Sequence, residues 1–429
     1  MQNTPYNTAD ISVTLQYICT HHDRDRVKMF LENNSTLHKQ PLPVSDAALL
    51  GKEAAQDVER FLTYRENSAP TPLYNLPEMA EALKVGVIHV KDEGQRLGLG
   101  SFKALGGGYA VTRLVLEKAA QQEGRKVDVS ELHSPMVRAV AMGMTFACAT
   151  DGNHGRAVAQ GAQAVGAKAV IFVHKGVSHD RIAAIARFGA EIVHVDGTYD
   201  HSVTVAAQTA AEKGWITISD TSWPGYEYIP GLVMQGYMNL VREALRQMPA
   251  PPTHVFVQAG VGGIAAAVAG HLAVVMGAAR PVFTVVEPAR AACLYQSALK
   301  GEPVTVPATQ PTIMAMLECY SPSLAAWRIL SHTADAFMTV DEDDAVNVMK
   351  RLAYPQGRDP AIVAGESGGV GLAGLIRAAT SPEIRTVLGL DAASRIFVIN
   401  TEGATDPVRY GEIVGCHPDQ IRPAASVRA

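Results

Sequence analysis

The chain has 429 residues, enough for two domains with cores of their own, and is 47% hydrophobic and 18% charged, as a globular protein is. A net charge of −5 leaves no basic footprint for nucleic acid. Ile264 to Ala279, the most membrane-like run, carries His271, starts at a turn and stops at Arg280-Pro281, so it reads as a buried helix and not as a span.

Residues 1 to about 40 are polar and irregular and read as an extension that packs on a partner subunit or frays. Ile11 to Cys19 is too interrupted by polar residues for a signal peptide. Pro70-Thr71-Pro72 makes a rigid approach to the first strand. Val85 to Val90 reads as that strand, and Lys103 heads an apolar helix running to about Gln122. Glu123 to Ser134 reads as a loop or insertion. From Met144 the pattern alternates. Strands are expected at 144–150, 167–173, 191–195 and 215–219, and helices at 154–165, 180–188 and 201–213. A long amphipathic helix follows at 228–248. After Pro249-Ala250-Pro251-Pro252 come a strand at 253–258, a helix at 264–276, a strand at 281–286 and a last clear strand at 395–399. Apolar strands alternating with helices predict an α/β fold of mostly parallel sheets covered on both faces. Residues 106–237 are expected to form a small domain, and 41–105 with 238–429 a large one. Ligands are then held in the cleft between two sheets, at strand C-terminal ends. Five cysteines, Cys19, Cys148, Cys293, Cys319 and Cys416, lack metal-ligand spacing, so a reduced, cytoplasmic protein without a metal site is expected, with Cys293 and Cys319 able to meet in space.

Four stretches carry chemistry. Lys103 sits between Phe102 and small residues, where poor hydration disfavours its charged form, lowers its pKa and suits it to a Schiff base with an aldehyde. Taken alone, it reads as easily as a surface lysine. Thr150-Asp151-Gly152-Asn153-His154-Gly155-Arg156 follows a strand and opens a helix, whose free amides attract a carboxylate. Asp151 there would repel an ordinary acidic substrate unless something cationic is also bound, or it simply caps the helix. Gly260-Val261-Gly262-Gly263-Ile264, again between strand and helix, suits a phosphate. With Glu287 ending the next strand, it also imitates a dinucleotide site. Asp220, in Ser219-Asp220-Thr221, reads equally as a catalytic group facing the cleft or as a turn residue. Asn400 and Thr401 end the last strand, where neutral groups could meet a ring nitrogen. Lysine, anion turn and phosphate loop together describe a site for pyridoxal phosphate.

On these residues the chain resembles the tryptophan synthase β-type (fold type II) pyridoxal phosphate enzymes and, within them, is similar to the diaminopropionate ammonia-lyases. Val90-Lys91-Asp92-Glu93, Phe102-Lys103, the 150–156 run, Asp220-Thr221, Gln258 to Gly262, Val286-Glu287-Pro288, Gly365-Glu366-Ser367-Gly368 and Thr401-Glu402-Gly403 carry it, across about Pro70 to Tyr410. Gly94, Gly100-Ser101 and Asn400 depart from the family's usual residues. The resemblance implies an α,β-elimination of D- and L-2,3-diaminopropionate to pyruvate and ammonia by a homodimer. Lys103 and Asp151 would be bases on opposite faces, and Asp220 a further catalytic group. Thr150, Asp151, Gly152, His154 and Asp220 would contact substrate, and Asn153 the cofactor's phenolic oxygen. A serine/threonine dehydratase-like lyase, a dinucleotide-binding oxidoreductase and a non-catalytic cofactor-binding protein remain as alternatives.

Overall fold

Short runs rich in β-branched and aromatic residues build two sheets. The computed structural model describes residues 29–421, apart from Asp151, Thr198 and the side chains of Tyr199 and Asp200. The strands are β1 (Phe30–Glu32), β2 (Leu73–Asn75), β3 (Val87–Asp92), β4 (Thr145–Ala149), β5 (Lys168–His174), β6 (Glu191–Val195), β7 (Ile216–Thr217), β8 (His254–Gln258), β9 (Val282–Pro288), β10 (Ala336–Val340) and β11 (Arg395–Asn400). Among the described residues, one sheet has the order β1-β10-β9-β8-β11-β3-β2 and the other β6-β5-β4-β7. Only the two edge strands of the larger sheet run antiparallel, and the smaller sheet is wholly parallel. Every residue of β8 and β10 is buried, as strands covered by helices on both faces must be. No helix among the described residues is long and apolar enough to cross a membrane.

Three strands differ from the sequence reading, among them β2 (Leu73–Asn75), which precedes the run read as the first strand. Phe30–Glu32, expected to be irregular, is an edge strand, with Phe30 opposite Met338 and Glu32 opposite Ala336. Three residues are too few to show alternation, and the pairing comes from a strand some three hundred residues away. That strand, β10, also escaped the sequence reading. Residues 1–28, with Cys19, lie outside the described residues.

Five helices position the site: α1 (Lys103–Glu123), α2 (Asn153–Val165), α3 (His179–Ala186), α4 (Tyr228–Gln247) and α5 (Gly263–Met276). The run Gly106-Gly107-Gly108 lets α1 lie almost backbone to backbone between α2 and α4. A Cβ on Gly236 of α4 would stand 2.5 Å from the Leu105 carbonyl oxygen and 2.7 Å from the Gly106 Cα. A Cβ on Gly161 of α2 would stand 2.8 Å from the Gly108 Cα. The helix that begins with Lys103 is thus held on two sides.

A buried ion network fixes the polar bend before it. Arg96 donates to Glu93 (Nε to Oε2, 2.7 Å) and to Glu243 on α4 (Nη2 to Oε2, 2.6 Å), and Lys91 Nζ lies 2.8 Å from the same Glu243 oxygen. Lys91, Glu93 and Arg96 are wholly buried. Removing Glu243 takes the ion-pair partner from buried Lys91 and leaves Arg96 with Glu93 alone. Glu243→Leu is therefore expected to destabilise the fold by about 3–5 kcal/mol, read as a lowered urea midpoint.

Candidate active site

Lys103 is the first residue of α1, and Phe102 before it packs edge-to-face on Tyr237 with ring centroids 4.7 Å apart. The Lys103 ammonium donates to Asp220 Oδ2, and the two side chains remain 20% and 19% exposed, so the pair borders open space. Burial works to lower the Lys103 pKa, as the sequence reading expects, but the Asp220 carboxylate, with Tyr237 and Cys319 adding to it, outweighs burial and the net shift is upward. That corrects the expected direction. Asp220 is opposed by burial too, yet Lys103 and then His154 hold its carboxyl well below the usual range.

Thr150 Oγ1 organises the turn by accepting the amides of Gly152 (3.1 Å) and Gly155 (3.2 Å). Gly152 adopts φ 155°, and a Cβ on Gly155 would collide with the Thr150 methyl group. Asn153 and His154 start α2. Asn153 Nδ2 donates to Glu402 Oε2 at 2.6 Å. His154 Nε2 donates to the Ile218 carbonyl at 3.0 Å, and burial lowers its pKa, so the ring is neutral. Asp151 lies outside the described residues.

The glycine loop joins β8 to α5. Gly262 has φ 101°, and its N-cap position points the first amides of α5 out of the helix, where they have no intrahelical partner. The Ser323 amide donates to the Val261 carbonyl (2.9 Å), and Ser222 binds Ser323 Oγ through its amide (3.1 Å) and its hydroxyl (2.8 Å). A Cβ on Gly263 would lie 3.7 Å from the Asp220 carbonyl, which places the loop beside the Lys103–Asp220 pair. Cys293 and Cys319 both border Gly260: Cys293 Sγ donates to its carbonyl at 3.8 Å, and a Cβ there would meet Cys319 Sγ at 2.8 Å. A side chain at Gly260 would meet Cys319, and one at Gly262 would strain its left-handed backbone, so the chain there stays open to close approach by a phosphate.

At the end of β11, the register sets Asn400 beside Asp92. Asn400 spends its two N–H groups on Asp92 Oδ1 (2.8 Å) and the Val363 carbonyl (3.0 Å). Thr401 Oγ1 accepts from Gln258 Nε2 at 2.9 Å and keeps its own hydroxyl proton to donate. Gln258, Tyr237 and Glu402 enter the site without a signal in the sequence beyond their motifs.

Glu287, which made the glycine loop look dinucleotide-binding, is fully buried, and its two carboxyl oxygens accept the amides of Leu294 (2.8 Å) and Tyr295 (2.6 Å). Burial pushes it up to about 8. It has no face left for a ribose.

Residues 64–391 match the family model described as pyridoxal-phosphate dependent enzyme. The diaminopropionate ammonia-lyase of Escherichia coli (strain K12) is 40% identical over 370 residues, covering 85% of this chain and 90% of that protein. The enzyme of the same name from Salmonella typhimurium is 39% identical over 377 residues, covering 86% and 93%. The crystal structure of the Escherichia coli enzyme in complex with an aminoacrylate-PLP azomethine reaction intermediate superposes with a TM-score of 0.80 at 37% identity, covering 90% of this chain and 96% of that one. Biosynthetic L-threonine dehydratase of Haemophilus influenzae is more distant, 30% identical over 317 residues.

Proposed function

Because the chain belongs to the diaminopropionate ammonia-lyases among the pyridoxal-phosphate dependent enzymes, we propose that Lys103, Asp220 and the turn at residues 150–154 carry its reaction. It is a carbon–nitrogen lyase: 2,3-diaminopropionate and one water give pyruvate and two ammonia. The bound cofactor supplies an aldehyde for an amine to join and a ring that spreads the charge left when the Cα proton departs.

This chain's residues do the rest. Lys103 would hold the cofactor's aldehyde and, when free of it, would take a proton on one face. Asp151 is assigned to the opposite face, a role supported by the family resemblance and by its place in the turn, and the pair would serve both enantiomers. The amides of the 150–154 turn receive the α-carboxylate, and His154, tied to the Ile218 carbonyl, holds that turn in place. Asp220, a carboxylate at neutral pH, attracts the substrate's β-ammonium and keeps it protonated, so that it leaves as ammonia. Gly260 to Ile264 would take the phosphate, Phe102 would pack against the ring, Asn153 would meet the phenolic oxygen, and Thr401, beside Asn400, would donate to the pyridine nitrogen. The resemblance also supports a homodimer, and the cysteine spacing a cytoplasmic location.

The observation that carries this reading is the Lys103–Asp220 ion pair beside the glycine loop. The test is pyruvate release from both enantiomers of diaminopropionate, from serine and from threonine. Diaminopropionate is expected to exceed serine in kcat/KM by about tenfold or more. Serine turned over faster would make the protein a dehydratase, and no pyruvate from any of them would make it a non-catalytic binder.

A further inference from the structure

Glu402 has no role in the scheme above, yet the Asn153 amide rests on it. The 2.6 Å hydrogen bond from Asn153 Nδ2 to Glu402 Oε2 joins two buried side chains, and among the described residues the second N–H of that amide has no acceptor. The Glu402 main chain is pinned: its carbonyl accepts the Gly365 amide at 3.0 Å, and it bridges Ser101, two residues before the cofactor lysine. Thr405 Oγ1 approaches the same Oε2 at 3.4 Å.

A second buried carboxyl lies alongside. Glu366 Oε1 accepts from Arg181 Nη2 of α3 at 3.3 Å, and the Arg181 stem covers Gly152 of the anion turn. Glu402 Oε1 and Glu366 Oε2 are both buried with no hydrogen-bond partner among the described residues. Arg181 and, from α2, Arg156 also face Glu402, and Asp406 and Arg409 face Glu366. Two neighbouring carboxyls in so dry a place do not both ionise readily, because each charge raises the cost of the other.

We propose that Glu402 is a positioning residue for the cofactor: it turns the Asn153 amide so that its second N–H faces the phenolic oxygen, and the Glu366 carboxyl opposes its ionisation. The inference rests on the assignment of Asn153 to that oxygen. Burial, with Glu366 adding to it, pushes Glu402 up to about 7. Below that pH Glu402 holds the proton. Above it, a negative charge stands behind Asn153, weakens its donation and disfavours the anionic, longer-wavelength form of the cofactor.

The experiment is an absorbance titration of the holoenzyme without substrate. The wild type is expected to lose long-wavelength absorbance in a one-proton step centred near pH 7. Glu402→Gln keeps an acceptor for Asn153 but cannot titrate, so it should retain the cofactor and lose the step. Glu366→Gln removes the like charge and should move the midpoint down by about one unit. A wild-type titration with no step, a step unchanged in Glu402→Gln, or an unmoved midpoint in Glu366→Gln overturns the proposal. The last holds even where Glu402→Gln fails to fold. Asn153→Ala separates the two layers. A shifted band there with no effect at Glu402 sinks this inference alone, whereas an unshifted band removes the Asn153 assignment and this inference with it.

Discussion

Lys103→Ala is expected to lose the long-wavelength absorbance of the holoenzyme and to cut pyruvate formation by about 10³-fold or more, because Lys103 is the amine set against Asp220 beside the glycine loop. The nearest rival in the sequence, Lys91, is wholly buried and committed to the Thr71 carbonyl (2.7 Å), Gln247 (2.9 Å) and Glu243. The alanine should leave the fold intact. Lys103 contributes a cleft-facing side chain, whereas the packing of α1 depends on the glycines after it. A variant that still absorbs and turns over substrate would move the linkage to another lysine.

Asp220→Asn is the second large effect. The amide preserves shape but removes the charge that raises the Lys103 pKa and attracts a β-ammonium. The kcat/KM for diaminopropionate should fall by about 10²-fold or more. Serine carries a hydroxyl in place of that ammonium, so its turnover should fall less. Equal losses on the two substrates, measured side by side, would mean that Asp220 acts only through Lys103.

Much of this architecture can be read along the chain, because α/β alternation is a local pattern. The strands from Thr145 to Val195 and at His254–Gln258, and the helices between them, fall within a residue or two of their apolar runs. What was not legible depends on partners distant in sequence. Phe30–Glu32 is a strand only because β10 pairs with it. The apolar neighbours of Lys103 predict a depressed pKa, and Asp220, 117 residues on, does most to reverse the sign. Glu287 ends a strand where a ribose-binding acid would, and only the fold shows that the helix starting at Cys293 occupies both its oxygens. The Lys91-Asp92-Glu93 motif divides in the same way. Its outer residues join a buried ion network with Arg96 and Glu243, while Asp92 holds Asn400.

The glycines show why a motif can be legible while its reason is not. Gly106 to Gly108 read as small residues near a lysine. In the fold they let α1 pass between α2 and α4 at backbone distance, which sets Lys103 opposite Asp220. Thr401-Glu402-Gly403 was visible as a motif, but nothing in its spacing tells that Glu402 supports Asn153 from 249 residues away.

Borohydride reduction of the holoenzyme, followed by digestion and mass spectrometry of the lysine peptides, tests the assignment of the linkage most directly. The pyridoxyl label is expected on Lys103 alone. Its appearance on any other lysine, or on none, would contradict the account.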